Sequence, residues 1–411
     1  MPFQILFDGA YGIRSFGDDA PLIVLAETLR KKLGAVECVV VSRHAAEAQY
    51  ESYGIRAIEG VEYATKAESL GRWFRGFNPD DERADLCRLY DEIAASDLVV
   101  LGAGNFLIDI TIDVLKGPVP RFLLMSLMAR MTGTPVLWYG ISVGPLKTRL
   151  GRDMSRLAAS LASRITVRDE KSLRELKSLE IHSPAIHLPD PVLGLELAPR
   201  GTAASNPVWQ AAHSEGKSVI AVSVRAVPTS SGLTMDEYLT ILASALDKLV
   251  VLHDANVLLI PQCIYAHATP DQDDRFTARQ LMSRMKEVQR CFSVENELDV
   301  YQCAALYEGA KLALCTRLHG CVFAVMNGIP TLALCYHPKV SEFMSWIGFP
   351  EFAFAMQDLS VETLLEGAVA VLDPQKQFVA QSTRAIQAGR QNLEEYSNIA
   401  IEAMREKVHF S

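Results

Sequence analysis

The chain holds 411 residues, more than one ordinary hydrophobic core accommodates, so two domains are expected. Hydrophobic residues make up 49% of it and charged residues 22%, a globular composition that excludes disorder. A net charge of −9, with Lys and Arg spread along the chain, excludes a nucleic-acid partner, which needs a basic face to neutralise phosphates, but leaves room for a small anion held by a few local cations.

The amino end, MPFQILFDGAYG, lacks a basic region followed by a long apolar stretch, and no apolar run approaches the ~18 to 20 residues that span a bilayer. A cytoplasmic protein without a transmembrane segment is expected, with attachment to the inner face of the membrane through a lipid-linked substrate left open. Cys38, Cys87, Cys263, Cys291, Cys303, Cys315, Cys321 and Cys335 form no CxxC pair and mostly sit in apolar runs. They read as small buried hydrophobes in a reducing compartment, with neither disulfides nor a cysteine metal site.

In chain order, short β-branched runs predict strands at 4–8, 36–41, 97–101, 135–139, 164–167 and 185–188. Helical periodicity fills the gaps near 20–33, 83–95, 119–132, 150–162 and 170–179. Residues 196–217 mix Pro, Gly, Ser and Asn without clean periodicity and are read as a linker. The alternation then resumes with strands at 218–224, 256–261, 311–315 and 331–336 and helices near 235–252, 274–289, 299–308, 317–327 and 360–372. Strand and helix in alternation mean parallel sheets covered on both faces. The expected architecture is α/β: an amino-terminal Rossmann-like domain over 1–195, the linker at 196–217, and a carboxyl-terminal Rossmann-like domain over 218–375. Helices over 376–411 are expected to pack back on the first domain.

Ligands of doubly wound sheets collect beyond the carboxyl ends of the strands. The unusual polar clusters of this chain fall there: GAGNFLID (102–109), GISVGP (140–145), RDE (168–170), PDP (189–191), Arg225, TRLHG (316–320) and HPK (337–339). If 311–315 and 331–336 are parallel neighbours joined by the helix between them, Arg317, His319 and Lys339 emerge at one edge. Thr316 is read as the helix cap, which places Arg317 and His319 in the first turn. Cations there oppose the helix dipole, and a bound phosphate or carboxylate would remove the conflict and favour protonated histidine.

Structural readings stand beside these. GAGNFLID lacks the third glycine of a dinucleotide fingerprint; its glycines let a ligand approach, with Asn105 and Asp109 as polar groups, or simply form a turn. Arg168 pairs with Asp169 or Glu170 as readily as with a ligand, and PDP is mainly a turn signal. His44, His187 and His337 have no metal spacing, and the chain contains no HExxH, GxSxG or GxxxxGK[ST] pattern.

Together SFGDDA (15–20), GAGNFLID, GISVGP, VRDEKSLREL (167–176), PDPV, TRLHGCVFAVMNGIP (316–330) and YHPKV (336–340) resemble the polysaccharide pyruvyl transferases, from about residue 9 to about residue 345. The resemblance implies a fold similar to GT-B glycosyltransferases, with two Rossmann-like domains facing a cleft. It further implies phosphoenolpyruvate as donor, a sugar with two free hydroxyls as acceptor (in a glycan, or lipid-linked or nucleotide-linked), a cyclic ketal as product, and no cofactor or metal. His319 is then expected as the general acid. Arg225, Arg317 and Lys339 are expected to hold phosphoenolpyruvate, and Asp18, Asn105 and Asp109 to serve the acceptor, Asp109 in a catalytic role. Ser15 stands where the family usually has Asn, and Gly102, Ala103 and Gly104 where it has three glycines. Both departures fall in the half expected to meet the acceptor. A GT-B-type glycosyltransferase or epimerase using a nucleotide sugar, and a binding protein that kept only the fold, are the alternatives.

Overall fold

The computed structural model describes residues 2–42, 45, 49–60, 85–108, 117–181, 183–264 and 272–408. Contacts divide the chain into two compact units. The first is Met1–Gly12, Asp18–Leu195 and Arg390–Ser411; the second is Ile13–Gly17 and Glu196–Gly389.

Among the described residues, the first unit runs β1 (Phe3–Asp8), α1 (Phe16–Leu33, whose first two residues count with the second unit), β2 (Val36–Ser42), β3 (Ile55–Glu59), α2 (Asp85–Ala95), β4 (Leu98–Leu107), α3 (Pro118–Thr132), β5 (Val136–Val143), α4 (Arg149–Ser160), β6 (Arg164–Val167), α5 (Glu170–Ser178) and β7 (Ala185–His187). All strand pairs are parallel, in the order β3-β2-β1-β4-β5-β6-β7. Alternate side chains of each strand go to opposite faces. Leu6, Val99 and Leu101 join Leu89, Phe122, Ala158 and Leu176 of α2 to α5 in one core, while Ile5, Phe7 and Val100 meet Leu22 and Leu25 of α1 in another.

The second unit runs α6 (Pro207–Ala212), β8 (Ser218–Ser223), α7 (Met235–His253), β9 (Ala255–Leu259), α8 (Asp274–Met282), β10 (Cys291–Ser293), α9 (Val300–Ala305), β11 (Leu312–Cys315), α10 (Leu318–Met326), β12 (Thr331–Cys335), α11 (Pro338–Trp346), β13 (Ala353–Ala355), α12 (Val361–Leu372) and α13 (Gln375–Gln391, whose last two residues count with the first unit). Its parallel order is β10-β9-β8-β11-β12-β13. The last helix, α14 (Glu394–Met404), belongs to the first unit and covers the α1 side of its sheet with Tyr396, Ile399 and Ala400.

Three strands escaped the sequence reading. β10 and β13 are three residues each at sheet edges, too short to show a period, and β3 is an edge strand whose IRAIE is mostly half-exposed. The glycine-rich motif after residue 101, read as a strand-end loop open to a ligand or as a turn, is instead part of a strand. β4 continues through it to Leu107, pairing Gly102 with Tyr139, Gly104 with Ile141 and Asn105 with Ser142. Asp109 lies outside the described residues. Residues 196–217, read as a linker, carry α6, which Asn206 caps by accepting from the amides of Val208 and Trp209.

Candidate functional site

In each sheet the chain reverses its direction of winding between the first strand and the fourth, and there the strand ends open a crevice. In the second unit those strands are β8 and β11, hydrogen-bonded neighbours with Ser223 opposite Cys315. Arg225 leaves one and Arg317 the other. β12 lies beside β11, with Ala333 opposite Cys315, and delivers Tyr336 and Lys339 to the same edge. The expected convergence of Arg317, His319 and Lys339 on one edge of one sheet is therefore what the topology produces, and Arg225 ends at the same edge.

The local details depart from the expectation. Thr316 does not cap α10: its hydroxyl is buried against Tyr238 at 2.6 Å, and the cap position is Arg317, without a side-chain cap bond. Arg317 turns instead to Asp274 at the start of α8, donating from Nε at 3.2 and 3.1 Å and from Nη2 at 2.6 Å. Asp274 is 1% exposed and also accepts from the amides of Gln262 and Cys263 at 3.0 and 2.9 Å. Burial works against the Arg317 charge, but the Asp274 carboxylate outweighs it and holds the guanidinium protonated. Most of the Arg317 fork is thus committed within the protein, leaving Nη1 outside the pair.

Arg225 donates from Nε to Ala226 O at 2.9 Å and from Nη1 to the Tyr336 hydroxyl at 2.7 Å. Its guanidinium carbon stands 4.4 Å from the Tyr336 ring centroid, a cation–π distance. Burial pushes the Tyr336 phenol up, yet Lys339, Arg225 and Arg317 together reverse that and hold it below the ordinary tyrosine value. The phenol is in effect a probe of the positive potential where the three cations meet. Lys339 follows Pro338 in the first turn of α11, where His337 is the cap and its Nδ1 accepts from the Lys339 amide at 3.3 Å.

His319 sits in the first turn of α10, part-buried, between two glycines that admit it. A β-carbon on Gly320 would fall 2.8 Å from Ser223 Cβ, so only glycine lets the start of α10 press against the end of β8. A β-carbon on Gly17 would fall 1.7 Å from His319 Nδ1 and 2.0 Å from its Cγ, so the imidazole fills the space a side chain at 17 would need. Residues 13–17 are fastened there: Phe16 N donates to Gln262 O and Ile264 N to Arg14 O, each at 3.1 Å, and Ser15 bridges Cys263. Ser15, expected on the acceptor side, therefore counts with the second unit. Asp274 organises both the 262–263 backbone that holds this strap and the Arg317 side chain.

The first unit carries a different cluster. Tyr11 donates to Gly102 O, and Tyr50 donates to Asp19 at 2.6 Å while accepting from Gly12 N at 2.9 Å. Buried Asp8 pairs with Arg121 through Nε at 2.9 Å and through Nη2. Burial pushes the Tyr11 phenol well up, and Tyr139, Asp19, Asp8 and Asp18 push it further. Asn105 lies on β4, its side-chain oxygen buried without a hydrogen-bond partner among the described residues. Arg168 pairs with Asp190 at 3.0 Å and with Ser142 at 2.9 Å, neither with Asp169 nor with Glu170, because β6 and β7 are neighbours and bring PDP to its side. Asp169 is used to cap α5 and to accept from Ser142 at 2.8 Å. These motifs lock strand ends together.

Asp274, Tyr336, Asp19 and Tyr50 were not singled out from the sequence. Tyr336 stood inside the quoted YHPKV and Asp274 inside a helix start, where an acid reads as a dipole partner; only the fold shows what each one meets. Among the described residues no group of three His, Cys, Asp or Glu side chains is placed to hold a metal, and no helix is long and apolar enough to cross a membrane.

Comparison with known proteins agrees with this arrangement. A putative UDP-N-acetylglucosamine 2-epimerase from Listeria monocytogenes superposes with a TM-score of 0.64 at 14% identity, covering 100% of both chains. A glycosyltransferase from Rickettsia africae does so at 0.56 and 12%, again over 100% of both. The chain thus has the GT-B-like fold. The amylovoran biosynthesis protein AmsJ of Erwinia amylovora is 24% identical over 306 residues, 73% of this chain and 71% of that protein. The profile of the family described as polysaccharide pyruvyl transferase matches residues 16–338, from the strap that lies on His319 to the first turn of α11, so this chain belongs to the polysaccharide pyruvyl transferase family and is a transferase.

Proposed function

We propose that the protein transfers pyruvate from phosphoenolpyruvate to two hydroxyls of a sugar in a polysaccharide or its precursor, forming a cyclic ketal and releasing phosphate. The observation that carries this reading is the convergence of Arg225, Arg317 and Lys339 on one edge of one sheet, with Arg225 bonded to the Tyr336 hydroxyl. Such a site suits a small, multiply charged anion. Arg225, whose bonds run to a carbonyl and a phenol, binds the donor directly, with Lys339 at the same strand edge. Arg317, held by Asp274, adds fixed positive charge and its Nη1 amino group.

His319 is the general acid. A bound anion favours the imidazolium, so the acid is armed by the substrate it serves. It delivers its proton to C3 of phosphoenolpyruvate, turning the methylene into a methyl and giving C2 oxocarbenium character. The first sugar hydroxyl adds to C2, and its proton returns to the imidazole. The bond from C2 to the phosphate oxygen then breaks, the second hydroxyl adds as Asp109 takes its proton, and Asp109 passes that proton to the departing phosphate. Asp18, Asn105 and Asp109 are the acceptor-side groups of this proposal, with Asp109 as the base.

The test is incubation of purified protein with phosphoenolpyruvate and a lipid-linked or free oligosaccharide, reading phosphate release together with the mass of the glycan. Equal release of phosphate and gain of a pyruvate ketal are expected. Turnover of a nucleotide sugar with no response to phosphoenolpyruvate would overturn the reading in favour of the epimerase or glycosyltransferase alternative.

A further inference from the structure

The outer faces of α3 and α4 combine exposed apolar side chains with a local excess of cations. Both helices cover the same side of the first sheet, turning Phe122, Met125, Ala158 and Ala159 into one core. On their solvent sides Leu127 is 40% exposed, Met131 65%, Leu150 41% and Leu157 47%. Leu127 and Met131 are one turn apart and Leu150 and Leu157 two turns apart, so each helix shows water an apolar stripe. Stripes on two adjacent helices form a patch, which scattered single leucines do not.

The charge around this patch runs against that of the whole chain. Between residues 118 and 163 stand Arg121, Arg130, Lys147, Arg149, Arg152 and Arg156, with Asp153 as the sole carboxylate, in a protein of net charge −9. Arg121 is taken up by Asp8, and Asp153 is shared by Arg149 and Arg156. Arg130, Lys147 and Arg149 stay at the exposed rim. A second copy of the chain across a two-fold axis would set these cations against themselves. An anionic bilayer satisfies both features at once, with the acyl boundary for the leucines and Met131 and the headgroup phosphates for the cations.

We propose that the α3–α4 face is a membrane-docking surface that seats the first unit on an anionic lipid bilayer. This goes beyond the proposed reaction and depends on neither donor nor acceptor. The attachment is peripheral and reversible, since it rests on four partly exposed side chains and a cationic rim.

The experiment is flotation of the full chain with vesicles of phosphatidylglycerol and phosphatidylcholine, against vesicles of phosphatidylcholine alone. Binding to the anionic vesicles, reversed by high salt and about tenfold weaker without the anionic lipid, is expected. Leu127→Asp with Leu157→Asp, and separately Lys147→Glu with Arg149→Glu, should each lower binding about tenfold while the circular dichroism and melting temperature stay at wild-type values. Absence of binding to anionic vesicles, or binding that survives both pairs of substitutions, would overturn the proposal. So would light scattering that shows a dimer dissolved by both pairs, which would assign the face to a second copy of the chain.

Discussion

The two units wind their first six strands in the same relative order, yet carboxylates gather near the switch point of one and cations near that of the other. Each shows this through a tyrosine, fully buried Tyr11 in one and part-buried Tyr336 in the other. Burial lifts the Tyr11 phenol and Asp19, Asp8 and Asp18 lift it further, whereas burial also lifts Tyr336 but Lys339, Arg225 and Arg317 reverse the effect. The same winding thus sets carboxylates near Tyr11 in one unit and cations near Tyr336 in the other, and the difference lies in residues at and just after the strand ends rather than in the strand order. In the proposed reaction the basic unit takes the anionic donor, and the acidic unit serves hydroxyl groups that must lose protons.

The sharpest way to break that assignment is His319→Ala. It should cost about a hundredfold to ten-thousandfold in ketal formation while donor affinity changes by less than about tenfold. Turnover near wild type would remove His319 from the proton transfer. Asp274→Ala should cost ~3 to 5 kcal/mol in a urea or thermal melt, because it leaves Arg317 part-buried without its carboxylate and two amides without their acceptor. A melt unchanged from wild type would show that the pair is not structural.

Gly17→Ala places a methyl group inside the His319 ring position, so the imidazole must move. Misplacing a reacting group by an ångström is worth about a hundredfold, and kcat should fall by that order with donor affinity little changed. Next in size, Arg225→Ala should weaken phosphoenolpyruvate binding about tenfold by calorimetry, as expected for loss of a charge-assisted contact. The same substitution should leave the Tyr11 side of the molecule unaffected.

The smallest effect is spectroscopic and compares the two tyrosines directly. In an alkaline titration followed by phenolate absorbance, Tyr336→Phe should remove an early-ionising group, and Tyr11→Phe should not. A phenol depressed in the folded state stabilises the fold only when ionised. Its contribution is therefore absent at neutral pH, grows as pH rises through the folded value, and is complete above the unfolded value of about 10. Phosphoenolpyruvate should move the Tyr336 titration upward by offsetting the cations, and by linkage its affinity should fall as pH rises through that titration. A titration indifferent to the donor would place the anion elsewhere.

Much of the fold was legible in the chain alone. The long buried strands read as continuous apolar runs because both faces of a parallel sheet are covered, and the helices between them showed their period. The position of TRLHG after one such strand and of HPK after the next was enough to put Arg317, His319 and Lys339 at one edge, since parallel neighbours must end on the same side. Partners were another matter. Asp274 on Arg317, Asp190 on Arg168, Tyr50 on Asp19 and the Gly17 backbone on His319 all join residues far apart in sequence, and no local pattern encodes which side chains a crossover will bring together. The strap at 13–17 is the clearest case: its sequence continues from the first strand, but its hydrogen bonds belong to the other unit. Local periodicity and turn chemistry are properties of neighbouring residues, so the chain carries them by itself. The sign and strength of the site come from groups that meet only when the sheets are assembled.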